Sequence, residues 1–274
     1  MHELLSDRAS RRWRPSALVA ASVAWHPAAL LATLVRPSLW PWTLGALVAD
    51  HVLLTAAGLY PRSTLLGPNW TSLPALARQR GCIAVTIDDG PDPEVTPRVL
   101  ALLDEHAAKA TFFCIGERVQ QYPDLVHEMV QRGHDIENHS QRHLCAFSLL
   151  GPLGMAQEVE RAQQTIADAT GRLPQFFRAP AGLRNPFLEP VLARLGLRLT
   201  SWTRRGFDTI NRNASWVLGR LMSDLGAGDI LLLHDGGAAR TRRGVPVILE
   251  VLPPLLEAIA DARLTPVTLS TALT

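Results

Sequence analysis

Two hydrophobic patterns divide the chain. Up to about residue 70 the apolar positions run together without a period: residues 15–35 hold no charge, and residues 37–61 hold only Asp50. At about 1.5 Å per residue the first run is long enough to cross a hydrocarbon core of roughly 30 Å as a helix, and the second is longer still. From residue 82 onward short apolar runs alternate with amphipathic ones, the pattern of βα units. Strands are predicted at 82–87, 110–114, 134–138, 175–178, 197–202, 229–233 and 266–269, with helices at 95–106, 116–131, 155–169, 186–195, 215–225 and 245–262. Seven such units in about 195 residues are too many for a small sandwich and suit a barrel-like parallel sheet. The predicted organisation is an α/β unit at 71–274 preceded by a hydrophobic helical hairpin at 1–70.

Tryptophan and arginine placement sharpens the N-terminal reading. Five of the seven tryptophans lie in 1–70, and Trp13, Trp40, Trp42 and Trp70 sit near the ends of the apolar runs, where indoles favour the headgroup layer. Residues 15–61 are therefore predicted to meet membrane lipid. Arg8, Arg11, Arg12 and Arg14 precede the first run, and Arg62, Arg78 and Arg80 follow the second, against the single Arg36 between them. The positive-inside rule then puts both ends, and the larger unit, on the cytoplasmic side of a bacterial inner membrane. His26–Pro27 and Asp50–His51 interrupt the runs, and an ionisable group there needs a partner or the interface. A shallow re-entrant hairpin, or a hydrophobic hairpin packed on the rest of the chain, stays open beside two crossings. A cleaved signal peptide would account for the basic start but not for a second apolar run.

Charge and cysteine content narrow the classes further. Residues 71–274 carry 21 basic and 22 acidic side chains, so no basic footprint for nucleic acid is present. Cys82, Cys114 and Cys145 are widely spaced and lack a CxxC pair. Neither a disulfide framework nor a thiolate zinc site is expected, and all three are predicted to be buried small apolar side chains.

Polar residues gather at the carboxyl ends of the predicted strands, the face on which parallel barrels build active sites. Asp88 and Asp89 follow the first strand, His139 the third, Arg178 ends the fourth, Asp208 lies beyond the fifth and His234 follows the sixth. In Asp88-Asp89-Gly90-Pro91 one carboxylate can bind a metal while its neighbour, pointing elsewhere, acts as a base; a plain Asp-Gly-Pro turn has the same string. His139-Ser-Gln-Arg-His143 has the i, i+4 spacing that, on one helical turn, brings two imidazoles to a distance one ion can bridge, although two surface histidines share that spacing. With Asp89 the pair makes a two-histidine, one-carboxylate set suited to zinc, cobalt, nickel or iron. Asp88 is then the candidate base, His234 the candidate acid, and Arg178 the cation that keeps Asp88 ionised. Glu137–Asn138 is a candidate support for His139, and His106, His127 and His134 read as edge or surface residues.

The strings Thr86-Ile-Asp-Asp-Gly-Pro91, His139-Ser-Gln-Arg-His143, Arg178-Ala-Pro-Ala-Gly182 and Leu231-Leu-Leu-His234 resemble, in order, four motifs of the polysaccharide deacetylase family, the NodB homology domain or carbohydrate esterase family 4. The resemblance spans about residues 80–270. It implies a distorted (β/α)7 barrel and metal-dependent removal of an N-acyl group, usually acetyl, from an amino sugar. It also implies Asp88 as base, Asp89, His139 and His143 as ligands of a divalent ion, zinc first with cobalt or nickel as alternatives, Arg178 as partner of the base and His234 as acid. An oxyanion donor would come from the Ala181 backbone N–H beside Pro180. Two departures stand out. Ala181 occupies a position commonly aromatic in the family, and in Trp202-Thr-Arg-Arg-Gly-Phe-Asp208 the first family aspartate aligns with Arg205, leaving Asp208 to match the second or to replace the first. Together with the hairpin, the resemblance predicts a membrane-anchored deacetylase of an N-acylated amino sugar, lipid-linked by preference. A deformylase of a polyprenyl-linked formamido sugar, a peptidoglycan or exopolysaccharide deacetylase with the catalytic unit facing outward to the periplasm, a hydrolase of another acyl compound such as an ester, and a non-catalytic glycan- or lipid-binding membrane subunit are the other readings.

Overall fold

The computed structural model describes residues 12–274, so Arg8 and Arg11 of the basic start lie outside the described residues. Helices α1 (Ala17–Val35) and α2 (Trp40–Leu59) form the hairpin, joined through a 3-10 turn at Pro37–Leu39. Ser16 caps α1 by accepting from the Val19 N–H, and its own hydroxyl donates to the Leu65 carbonyl. Both helices are long and apolar enough to cross a membrane by length and composition. Most of their large side chains are exposed, with Leu34, Val35 and Trp42 each at least 70% so. A core helix of a soluble unit would bury that surface. The ionisable groups inside the runs pair across the hairpin: Ser22 donates to Asp50 at 2.7 Å, and His26 Nε2 lies 3.3 Å from His51 Nε2.

After a short helix α3 (Ala75–Gln79) the chain enters β1 (Cys82–Asp88) and then alternates: α4 (Thr96–Glu105), β2 (Ala110–Cys114), α5 (Gly116–Gln121), α6 (Pro123–Gln131), β3 (Asp135–Asn138), α7 (Pro152–Thr170), β4 (Phe176–Phe177), α8 (Leu188–Arg194), β5 (Arg198–Leu199), β6 (Arg204–Arg205), α9 (Ala214–Met222), β7 (Ile230–His234), α10 (Val247–Asp261) and β8 (Thr265–Pro266). The sheet is parallel, in the order β5-β4-β3-β2-β1-β7-β6, with β8 pairing the start of β1. This is the predicted parallel α/β sheet in the form of a half-barrel. It does not close between its edge strands. Trp70 lies there instead, bridging to Thr200 and exchanging backbone hydrogen bonds of 2.9 and 2.8 Å with Leu199 and Ser201, while the Thr203 hydroxyl donates to the Thr71 carbonyl.

Strand alternation explains where chemistry can sit. On β1, Ile83, Val85 and Ile87 pack outward under α4 and α10, which leaves Ala84, Thr86 and Asp88 facing inward. On β7, Leu231 and Leu233 do the same, so Leu232 and His234 face inward.

Several local expectations are corrected. The single helix predicted over 116–131 is two, because Pro123 cannot donate to a continuing helix and Tyr122 leaves the helical region at ψ 57°. The strand predicted over 197–202 shortens to β5, and β6 follows as a separate edge strand. Cys82 and Cys114 are buried, but Cys145 is exposed on the loop after His143. His134 is buried, not an edge residue: its Nδ1 accepts from the Ala110 N–H, and burial drives its pKa down to about 4.

Candidate active site

Asp88, Asp89, His139, His143, Ala181 and His234 line one cavity of about 280 Å³ at the carboxyl ends of the strands. Asp88 closes β1, and the turn after it is sewn between both neighbouring strands: Asp89 N–H donates to Phe113, Asp235 N–H to Asp88, and Ile115 N–H to Gly90. Asp89 takes a left-handed φ of 73°, which turns its carboxylate away from that of Asp88. Arg178 is 1% exposed and fully engaged. Its Nη1 donates to Asp88 at 2.6 Å and to Thr86 at 2.8 Å, Nε to the Thr200 carbonyl and Nη2 to the Ser201 carbonyl, with the guanidinium 4.1 Å from the Phe113 ring centre. One oxygen of Asp88 is thereby fixed beside a buried cation, and the other, 3.9 Å from His139 Nε2, faces the cavity group.

Residues 139–143 do not form the helical turn predicted from their spacing. Ser140 and His143 both adopt left-handed φ, 65° and 51°, and the loop still stacks the two imidazoles with ring centres 4.8 Å apart. Asn138 holds this shape by accepting from the Ser140 N–H, the Ser140 hydroxyl accepts from the His143 N–H, and Glu158 grips the Arg142 backbone and guanidinium. The group that orients His139 is the Arg178 carbonyl at 2.8 Å, so support by Glu137–Asn138 acts on the backbone, not on the ring. A carbonyl only accepts, so His139 Nδ1 carries the proton and, in the neutral ring, its Nε2 presents a lone pair.

That lone pair, the Nε2 of His143 and Asp89 Oδ1 converge. Oδ1 lies 3.2 Å from each nitrogen, is buried, and has no hydrogen-bond partner of good geometry among the described residues. The three ligand atoms all fall within 4.8 Å of one another. An orphaned carboxylate oxygen between two imidazole nitrogens is a donor set that a divalent ion satisfies, so the residues fit the metal that the resemblance implies. Burial alone would raise the Asp89 pKa, but its neighbours His139, His234 and His143 outweigh burial and hold it far below the usual carboxylate range. Burial disfavours a charged His139, and the carboxylates of Asp88 and Asp89 outweigh it and raise its pKa; burial and the His139 charge lower that of His143.

On the opposite wall Asp208, fully buried, holds His234 from two directions. Its Oδ1 accepts from Nδ1 at 2.8 Å and its Oδ2 from the backbone N–H at 2.7 Å. Burial would lower the His234 pKa, but the charge and hydrogen bond of Asp208 prevail and lift it to about 9. Of the two positions weighed against the family aspartates, Asp208 is the one that reaches His234; Arg205 lines the cavity instead. Pro180 is buried and begins the 3-10 turn Pro180–Gly182 that presents Ala181, at φ 54°, to the cavity. Gly182 follows at φ 74°, where a Cβ would lie 2.6 Å from Trp202 and 2.8 Å from Pro61; only glycine lets this loop approach both.

Trp202, Arg205 and Thr209 complete the walls and escaped prediction as site residues. So did Asp235, fully enclosed below the Asp88–Gly90 turn. It accepts from the Thr96 hydroxyl and the Gly236 N–H, and burial lifts its pKa to about 7 in spite of both. Its one sequence signal is an aspartate directly after the candidate acid in an otherwise apolar strand end.

Comparison with known proteins gives the family. The polysaccharide deacetylase family model matches residues 76–200. The chain is 36% identical over 181 residues to a peptidoglycan-N-acetylglucosamine deacetylase of Bacillus cereus, covering 63% of this chain and 81% of that protein. It is 34% identical over 155 residues to a chitooligosaccharide deacetylase of Bradyrhizobium, covering 56% and 70%. Among solved structures, a family 4 carbohydrate esterase from Streptomyces lividans superposes with a TM-score of 0.61 at 32% identity, over 68% of this chain and 91% of that one. A family 4 pseudoenzyme from Bacillus anthracis shares the fold, with a TM-score of 0.63 at 21% identity over 71% and 66%. The chain belongs to the polysaccharide deacetylase family.

Proposed function

We propose that this chain hydrolyses the N-acyl group, acetyl in the first instance, of an amino sugar in a glycan or lipid-linked saccharide, using one divalent ion. The observation that carries the reading is the convergence of Asp89 Oδ1 with two imidazole nitrogens, between an arginine-held carboxylate and an aspartate-held imidazole. Asp89, His139 and His143 would hold the ion, with zinc favoured and cobalt or nickel as alternatives. A bound ion supplies Lewis acidity, polarising the amide carbonyl and making water a nucleophile near neutral pH. Asp88, kept in place by Arg178, takes the proton of the attacking water. The Ala181 N–H donates to the oxygen on which negative charge develops. His234, charged below about pH 9, gives its proton to the departing amine while Asp208 retains the ring in position. The family relatives named for N-acetylglucosamine and chitooligosaccharide deacetylation support an amino-sugar substrate. The pseudoenzyme neighbour is a reminder that the fold alone does not make a catalyst; here the full set of side chains supports catalysis over a purely glycan-binding role.

The reading extends to the hairpin. Residues 1–70 act as the membrane-associated part and 71–274 as the catalytic part, and the arginine distribution supports a cytoplasmic-facing catalytic part at a bacterial inner membrane. A groove of about 650 Å³ supports a lipid-linked substrate. Its walls include Val19, Leu54 and Leu59 of the hairpin and Leu149, Phe187 and Pro190 of the catalytic part. The loop that offers Ala181 and Gly182 to the catalytic cavity runs on to wall this groove with Arg184 to Phe187. The test is release of acetate or formate from N-acyl amino sugars, free and polyprenyl-linked, by metal-loaded protein beside Asp88→Asn. Acid released only by the unsubstituted protein supports the reading, and the preferred acyl group separates deacetylase from deformylase. No release with zinc, cobalt or nickel overturns it. A reporter fused to the C-terminus tests the orientation, and external activity would reverse it.

A further inference from the structure

We propose that Arg205 recognises a negatively charged group on the substrate, so that the amino sugar accepted by this site carries a phosphate or carboxylate close to its N-acyl group. The inference rests on the N-deacylase reading and adds the charge of the substrate to it. Arg205 lies on β6 in register with Leu232, two residues before His234 on the neighbouring strand. That spacing is about 6.6 Å along the sheet, close to the width of one sugar ring. Its side chain lines the catalytic cavity.

The guanidinium is held without being neutralised. Its central carbon sits 5.3 Å from the Trp202 ring centre and 5.0 Å from that of Phe207, which fixes its position. Among the described residues no carboxylate lies within ion-pair distance, and its buried Nε has no hydrogen-bond partner. Neighbouring arginines are treated differently: Arg178 is spent on Asp88 and three further oxygens, and Arg204, the residue before, pairs with Asp229 at 2.6 Å. The carboxylates that could have answered Arg205 are committed as well, Asp88 to Arg178, Asp208 to His234 and Asp89 to the two imidazoles. A partly buried guanidinium with open donors is costly unless something supplies acceptors, and its planar fork matches phosphate and carboxylate oxygens. Among the described residues no wall of the cavity supplies them, which leaves them to the substrate or to the water it displaces. A sugar carried on a phosphate would also suit the apolar groove on the hairpin side, while a carboxylate on the sugar itself would use the same fork.

The experiment compares three N-acetyl substrates on the full chain in detergent, loaded with zinc: N-acetylglucosamine 1-phosphate, N-acetylmuramic acid and the neutral N,N′-diacetylchitobiose. The expected result is a preference for one of the two anionic substrates that weakens with added salt. Arg205→Ala should raise KM on that substrate about tenfold more than on the chitobiose, the value of one charge-assisted contact, and Arg205→Lys should recover part of the difference. Which anionic substrate responds decides between phosphate and carboxylate. Equal KM changes on charged and neutral substrates, with or without a drop in melting temperature, would make Arg205 a support for Trp202 and overturn the proposal. If none of the three is hydrolysed, it is the deacylase reading that fails. Calorimetric binding of glucosamine 1-phosphate and muramic acid then decides for Arg205: about tenfold weaker binding of either by Arg205→Ala upholds anion recognition, and unchanged or undetectable binding of both refutes it.

Discussion

Two pairs of histidines in this molecule are wired alike and end differently. His139 beside His143 and His26 beside His51 each contain one ring pinned by Nδ1 to a main-chain carbonyl, that of Arg178 at 2.8 Å and that of Ser22 at 2.7 Å. In both, the pinned ring is left with a bare Nε2 when neutral. In the hairpin that atom meets the Nε2 of His51 at 3.3 Å, which can bring a proton, so the pair closes on itself. In the cavity it meets a carboxylate oxygen, which cannot. On the proposed reading, what makes a cation site is the third group, Asp89, placed by a left-handed turn on a different strand; the pairing of imidazoles alone does not.

The comparison is broken most severely by removing that third group. Asp89→Ala should make the cavity pair resemble the hairpin pair, with zinc affinity and turnover lost together and by more than the roughly 10–100-fold that a supporting residue contributes. Competition with a chromogenic chelator measures the first and acid release the second. Next in size, Asp88→Asn should keep the ion while kcat falls by roughly 10²–10⁴-fold, so metal analysis and kinetics part company. Smaller again, Asp208→Asn keeps an acceptor for His234 but removes the charge that raises its pKa. The alkaline limb of kcat/KM should move from near 9 toward 6.5, with a rate loss of up to about thirtyfold at pH 8. The same raised pKa gives His234 a stabilising contribution that is complete below 6.5 and disappears as the pH climbs through about 9, so chemical denaturation of Asp208→Asn should show that decline between 6.5 and 9 flattened or gone. The smallest effect is expected from His26→Ala or His51→Ala, which should leave one zinc per chain and shift the melting temperature by no more than about 4 °C. A second equivalent of tightly bound zinc in the unsubstituted protein, lost in either variant, would erase the contrast between the two pairs.

Much of the architecture can be read from the chain because β1, β2 and β7 are continuous apolar runs whose ends carry the polar groups, so strand and site announce each other. The acidic turn after β1 and the His–x–x–x–His string are legible as strings, and the resemblance orders them. Their geometry is not. Left-handed Ser140 and His143 are held by hydrogen bonds to Asn138 and to Ser140 itself, which no periodicity encodes. Two-residue strands such as β5 and β6 are too short to show alternation, and Trp70 pairs with Thr200 across 130 positions of sequence. Asp235 and Arg205 were visible as residues, but what sets them apart is the presence or absence of a partner, and that exists only after folding.

Trp70 and the residues before it have a mechanical consequence. Arg184 binds the Gly58 and Ser63 carbonyls, Ser201 and Asn69 bind that of Pro61, and Trp70 then plugs the gap between the two edge strands. The connection between hairpin and sheet is tied down by hydrogen bonds at several points along its length. With the hairpin seated in a bilayer, as proposed above, the catalytic mouth would ride at one fixed elevation and tilt. Such an enzyme measures its substrates with a ruler: an acylated sugar held at that elevation meets the cavity on every lateral collision, and the same sugar one residue farther along a chain passes out of reach.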